Sequence, residues 1–175
     1  NAGGDVDLDD FISRAEVLEA AGHTVMISDY PEYHRLASYL SRNTQGRIGI
    51  TMGAHSLAEL FEESYYKDLP GGLLEGFGRL FKNKVKLYIY PYRDPNTAQL
   101  IKADNLEVPK PLRHLYQHLL DNGHIVQLER YNEDDLDIFS PNVLEQIGSG
   151  QSGWEHQVPD VVAQKIKRQK LFGYV

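Results

Sequence analysis

Cysteine is absent from the 175 residues. That excludes disulfide frameworks, thiolate zinc sites and thiol nucleophiles, and it favours a reducing compartment, so the chain is read as cytoplasmic. Long apolar runs are missing too. None approaches the roughly 18 residues of a membrane span, and no signal peptide is visible, so no membrane partner is expected. Positive charge is scarce: 18 Lys and Arg stand against 25 Asp and Glu, a net charge of −7, which argues against nucleic acid as a partner. Several motifs are also wanting. The exit of the first candidate strand has no Gly-x-Gly-x-x-Gly, and nowhere is there a Gly-x-x-x-x-Gly-Lys-[Ser/Thr] loop or a Gly-x-Ser-x-Gly elbow, which excludes standard dinucleotide sites, P-loops and serine-hydrolase nucleophiles. An initiator Met is lacking, and Asn1-Ala2 matches what a cleaved purification tag leaves. Residues 1–8 are therefore read as tag remnant and lead-in, and the remainder as a piece of a longer protein.

What is present centres on Gly46 to Phe61. Arg47-Ile48-Gly49-Ile50-Thr51-Met52 reads as a buried strand, Gly53 as a tight turn, and Ser56 with Glu59 as a capping box that starts a helix on Leu57, Leu60 and Phe61. The amides of that first helical turn, with the dipole behind them, would face whatever lies beyond the strand's carboxyl end.

Before this stretch, Asp9 and Asp10 open a helix that runs to about Ala21, with Phe11, Ala15 and Leu18 on one face. Thr24-Val25-Met26-Ile27-Ser28 then reads as a strand covered on both faces. A helix follows from Pro31, burying Tyr33, Leu36, Ala37 and Leu40 and turning His34, Arg35, Ser38 and Arg42 to water. After it, Leu69-Pro70-Gly71-Gly72 breaks the chain, and Leu73, Phe77, Leu80 and Phe81 form the next helical stripe. Val85 to Tyr90 alternates like a strand near a sheet edge, and Asp94-Pro95-Asn96 turns Ala98 to Lys102 back antiparallel. Leu112, Leu115, Tyr116, Leu119 and Leu120 define a helix ending at Asn122-Gly123, and Ile125 to Leu128 is one more strand. Helices over Pro141 to Ile147 and Pro159 to Lys170 flank a Gly/Ser loop from Gly148 to Gly153. The order predicts a single α/β domain over 9–175: a Rossmann-like three-layer sandwich over 9–108 with a mostly parallel sheet and one antiparallel hairpin strand, and an α-rich helical C-terminal extension over 109–175.

Candidate chemistry follows from that topology. If the strands ending at Ser28-Asp29 and at Gly53 are neighbours, Ser28, Asp29, Gly53, His55 and Ser56 share one crevice suited to a small anionic or nucleotide-like ligand. The plainer alternative makes Asp29 and Ser56 simple N-caps. Gly71 and Gly72 offer further backbone to a ligand. Gly76 and Gly78 sit within one helical turn at a propensity cost of roughly 1 kcal/mol each, which calls for a neighbour packed on bare backbone or a ligand there. Glu75 and Arg79 are an i,i+4 ion pair unless burial makes Glu75 an acid/base group; Asp29 and His55 are the other catalytic candidates, for a nucleotide-handling transferase. His114 and His118 have helical ligand spacing but face away from the leucine stripe, and Asp5 to Glu16 only faintly copies a calcium loop, so no metal is expected. A third reading is a protein-interaction module or homodimer anchored by Tyr65, Tyr66, Tyr92 and Trp154.

Gly22-His23-Thr24-Val25-Met26-Ile27-Ser28-Asp29-Tyr30, Glu32-Tyr33, Arg35-Leu36, Pro70 to Phe81, Tyr88-Ile89-Tyr90-Pro91 and Leu171-Phe172-Gly173-Tyr174 together resemble the C-terminal part of long bacterial proteins labelled nicotinate-nucleotide adenylyltransferase or TonB-dependent receptor. The first label implies a His-x-Gly-His-like motif to steady phosphate charge. This segment has none, since His23 and His55 stand alone. The second implies a membrane barrel, which helical periodicities do not build. The resemblance thus implies boundaries, and no site residue is carried over from it.

Overall fold

Five strands and seven α-helices form among the described residues, which are 7–82, 84–94 and 96–175 of a computed structural model. The chain divides into two compact units, Ser28–Asp137 and, together, the described residues up to Ile27 with Ile138–Val175.

The Ser28–Asp137 unit is built on a three-stranded parallel sheet. Strand β1 (Gly49–Gly53) pairs with β2 (Lys86–Tyr90), which pairs in turn with β5 (Ile125–Gln127), so β2 is the central strand and not the edge that its wetter face suggested. The alternation has another cause. Leu87 and Ile89 are fully buried on one face, while Tyr88 and Tyr90 on the other lie over Gly49 and Gly53. A Cβ at Gly49 would meet the Tyr88 ring at 2.9 Å, so the glycines of β1 make room for tyrosines of β2. Strand β3 (Tyr92–Arg93) and β4 (Leu100–Ile101) form the expected antiparallel pair. Asp94 closes their turn by accepting from the amides of Asn96 and Thr97 at 2.8 and 2.9 Å; Pro95 lies outside the described residues.

Four helices complete this unit: α2 (Tyr33–Asn43), α3 (Ala54–Glu59), α4 (Gly72–Phe81) and α5 (Arg113–Asp121). Their stripes of Ala37, Leu57, Leu73, Phe77, Leu80, Tyr116 and Leu119 join the sheet in one core with Phe61. Helix α5 and β5, placed by periodicity in an extension, therefore belong with the sheet. Two expectations fail here. Residues 24–28 form no strand: Met26 and Ile27 are 52% and 60% exposed. β propensity needs a half-buried pleated surface to fit, and this run lies where the chain passes from one unit to the other. The capping box fails as well. Helix α3 already begins at Ala54 with Gly53 in the N-cap position, which leaves Ser56 inside the helix and Glu59 beside His55.

The second unit packs α1 (Leu8–Ala20), α6 (Ser140–Gly148) and α7 (Asp160–Gln169) around Val143, Ile147, Trp154, Val162, Ala163 and Ile166. Asp7 caps α1 by accepting from the amides of Asp9 and Asp10 at 3.1 Å, as the acidic first turn predicts. The buried side of α1 is not the expected one, because Val17 and Ala21 pack on the core while Phe11 and Leu18 are exposed. Trp154, expected as an exposed anchor, is 1% exposed. Tyr174 meets it edge-on at 5.9 Å and the Lys167 ammonium sits 5.6 Å above its ring. Lys167 also reaches Glu155 at 2.7 Å, and Glu155 accepts from the Gly153 amide at 2.9 Å.

Candidate functional site

The shared rim expected between residues near 29 and near 55 loses its premise, since no strand ends at Ser28. Ser28 and Asp29 are exposed. Asp29 caps nothing, because α2 begins at Tyr33 with Glu32 in the N-cap position. His55 is exposed at the carboxyl end of β1 and meets Tyr92 edge-on at 6.3 Å. Ser56 lines a separate hollow of about 270 Å³ with Tyr33, Glu59, Glu62 and Tyr65. A six-residue α3 with two carboxylates in that hollow is a poor seat for an anion.

A different cleft gathers more chemistry. It is bounded by α2, by the 3₁₀ turn Glu63–Tyr66 and by α4, and its volume is about 210 Å³. His34 and Tyr66, 5% and 2% exposed, form the inner wall. Arg35, Asp68 and Arg79 are exposed at the mouth, with Glu32 and Tyr65 half-buried beside them. Helical periodicity put His34 on the wet face of α2; it is buried because α4 packs along that side. The signal available in sequence was a second stripe: Ser38 and Ser41 follow His34 at i+4 and i+7, and such small side chains admit a close neighbour. The Ser38 hydroxyl donates to the His34 carbonyl at 2.7 Å.

Tyr66 is placed by a glycine. A Cβ on Gly76 would fall 2.2 Å from the Tyr66 ring, so only bare backbone in α4 lets the ring lie there. This is the neighbour that the paired glycines called for, although it explains Gly76 alone, since nothing lies within 4 Å of a Cβ on Gly78. The Tyr66 hydroxyl donates to the Leu60 carbonyl at 2.9 Å, and burial holds its pKa well above the ordinary value.

The His34 ring lies 6.3 Å from that of Tyr66, and its Nδ1 is buried without a hydrogen-bond partner among the described residues. Burial lowers its pKa; Glu32 and Glu75 act the other way, Arg79 and Arg35 with burial. The imidazole is therefore neutral near pH 7. An orphaned buried polar atom costs about 1–3 kcal/mol, so its retention asks for a reason.

Glu75, Gly71 and Gly72 are engaged in starting α4. Glu75 accepts from the Gly71 amide at 2.8 Å and pairs with Arg79. That amide bond, followed by Arg79, holds the Glu75 carboxyl below its usual range, which keeps it ionised and unsuited to proton transfer at neutral pH. Arg35 pairs loosely with Glu32, at 3.4 Å, and lies 5.9 Å over the Tyr30 ring. Of the remaining candidates, His114 and His118 are exposed on α5, and no group of three His, Asp or Glu side chains suited to a metal occurs among the described residues. Asp5 and Val6 lie outside those residues. Tyr65 and Tyr92 are half-buried, so with Trp154 and Tyr66 in the cores the proposed interaction anchors do not form an exposed set. No helix among the described residues is long and apolar enough to cross a membrane. No family model, curated protein or solved structure matches the chain.

Proposed function

We propose that the Ser28–Asp137 unit is a ligand-binding domain, and that its ligand is a small molecule bearing an anionic group, held in the cleft between α2, the Glu63–Tyr66 turn and α4. One observation carries this reading. His34, a buried histidine whose Nδ1 has no hydrogen-bond partner among the described residues, lines a cavity that also carries two arginines. A bound molecule would lie against the His34 ring and present its anionic group to Arg35 and Arg79. The Arg35–Glu32 pair is loose and exposed, an interaction worth about 0–1 kcal/mol, so a ligand carboxylate or phosphate displaces it at little cost. Arg79 spends part of its fork on Glu75 and keeps other donors free.

Binding is favoured over transfer chemistry because the candidate bases are badly placed for it: Glu75 is engaged in a helix start, and Asp29 is exposed on a bend. The three parallel strands with intervening helices support reading the sheet as a reduced Rossmann-like core, and the lack of cysteine supports a cytoplasmic setting.

The test is a thermal-shift panel of nucleotides, sugar phosphates and dicarboxylates on the wild type and on His34→Phe. At least one class should raise the melting temperature of the wild type, and His34→Phe should lose that rise while melting no lower than its parent. A rise that persists in the variant, or no rise with any class, overturns the reading.

A further inference from the structure

We infer that the cleft takes a small zwitterion, an α-amino acid or close analogue, with its carboxylate toward Arg35 and Arg79 and its ammonium toward Asp68. This rests on the cleft being the ligand site, and it narrows the chemistry. The mouth carries opposed signs: Arg35 and Arg79 face Glu32 and Asp68, and Glu75 stands behind Arg79. A polyphosphate would bring several negative charges against three carboxylates, two of them already on the arginines it needs. A simple carboxylate would bind the arginines and leave Asp68 facing a like charge. Asp68 makes no hydrogen bond or ion pair among the described residues, and so is the charge at the mouth that still lacks a counterpart.

The inner wall agrees with that assignment. A neutral imidazole in that wall adds no positive charge to the two arginines, so nothing there repels an ammonium. Tyr65, half-buried beside the mouth, adds an aromatic ring to the lining. A space of about 210 Å³ suits a molecule of amino-acid size better than a nucleotide.

The experiment compares each free α-amino acid with its N-acetyl and carboxamide derivatives, and with inorganic phosphate and AMP, by thermal shift and calorimetry on the wild type, Asp68→Asn and His34→Phe. At least one free amino acid should bind. Blocking either end, or changing Asp68 to Asn, should weaken it roughly tenfold to a hundredfold, because each removes one charged hydrogen-bonding contact. Asp68→Asn should melt with the wild type, since Asp68 makes no hydrogen bond or ion pair among the described residues. His34→Phe should abolish binding. An N-acetyl derivative that binds as tightly as its parent, or His34-dependent binding of phosphate or AMP with none of any amino acid, overturns the zwitterion and leaves the cleft standing. Binding that ignores His34→Phe, or no binding by any probe, overturns the cleft and the zwitterion with it.

Discussion

Two glycines in one turn of α4 allow packing to be separated from helix propensity. Gly76→Ala and Gly78→Ala both replace a poor helix former with the best one, a change worth about 1 kcal/mol in favour of the variant. They differ in what the new methyl meets. At 78 it meets nothing within 4 Å, so that variant should gain up to about 1 kcal/mol. At 76 the methyl would stand 2.2 Å from two ring atoms of Tyr66, and the ring has little room to retreat. Tyr65 lies edge-on at 5.1 Å, Phe77 at 5.8 Å, and the hydroxyl is tied to the Leu60 carbonyl. Overpacking costs about 1–3 kcal/mol, and tearing the buried hydroxyl from its acceptor costs a similar amount. After the propensity gain is subtracted, Gly76→Ala should lose roughly 1–5 kcal/mol. Urea denaturation followed by far-ultraviolet circular dichroism reads both variants against the wild type. Equal effects of the two substitutions, of either sign, would refute the argument that bare backbone at 76 exists to seat Tyr66.

Three further outcomes are expected. His34 has a lowered pKa in the folded state, so the unfolded chain binds its proton first; this group's contribution is fully present above about pH 6.5 and is lost as the pH falls. Urea midpoints of the wild type should therefore fall faster below that pH than those of His34→Phe, and parallel curves would show that the ring does not titrate this way. Glu155, bonded by Lys167 and by backbone amides, is held down to a pKa of about 2. The stability difference between wild type and Glu155→Gln should be constant above about pH 4.5 and shrink as the pH falls toward 2; a difference that does not change with pH would assign it to packing. Trp154 is the single tryptophan of the chain and is buried in the unit of α1, α6 and α7, so its emission reports that unit alone. Tyr174→Ala should red-shift that emission and lower its melting transition, and an unchanged spectrum would place Tyr174 off the ring.

What sequence made legible is what neighbours in the chain decide. The stripes of α4 and α5, the Glu75–Arg79 pair, the Asp94 turn and the acidic start of α1 all rest on groups within a few residues of one another, and each is found where it was expected. The failures are all tertiary. Thr24 to Ser28 has the composition of a strand but no partner edge, and composition cannot supply one. Ser56 and Glu59 have the spacing of a capping box, yet α3 starts three residues earlier because the chain turns directly out of β1 at Gly53. Trp154 sits in a Gly/Ser-rich stretch that reads as surface, and only the convergence of α6 and α7 hides it.

The same distinction bears on how the cleft arises. Removing a Cβ at 76 lets Tyr66 sink against α4, and the sunken ring is what walls in His34 from one side. Helix α4 lying along α2 closes the other side, so a histidine that α2 alone would hold in water is stripped of it. A fold selected only for stability would put an apolar side chain at 34, where the orphaned nitrogen costs about 1–3 kcal/mol. Gly76, Tyr66 and His34 therefore form one dependency in which core packing builds the cleft. Gly76→Ala should in consequence weaken ligand binding as well as stability, although residue 76 does not line the cavity, whereas Gly78→Ala, two residues on and unpacked, should leave binding unchanged.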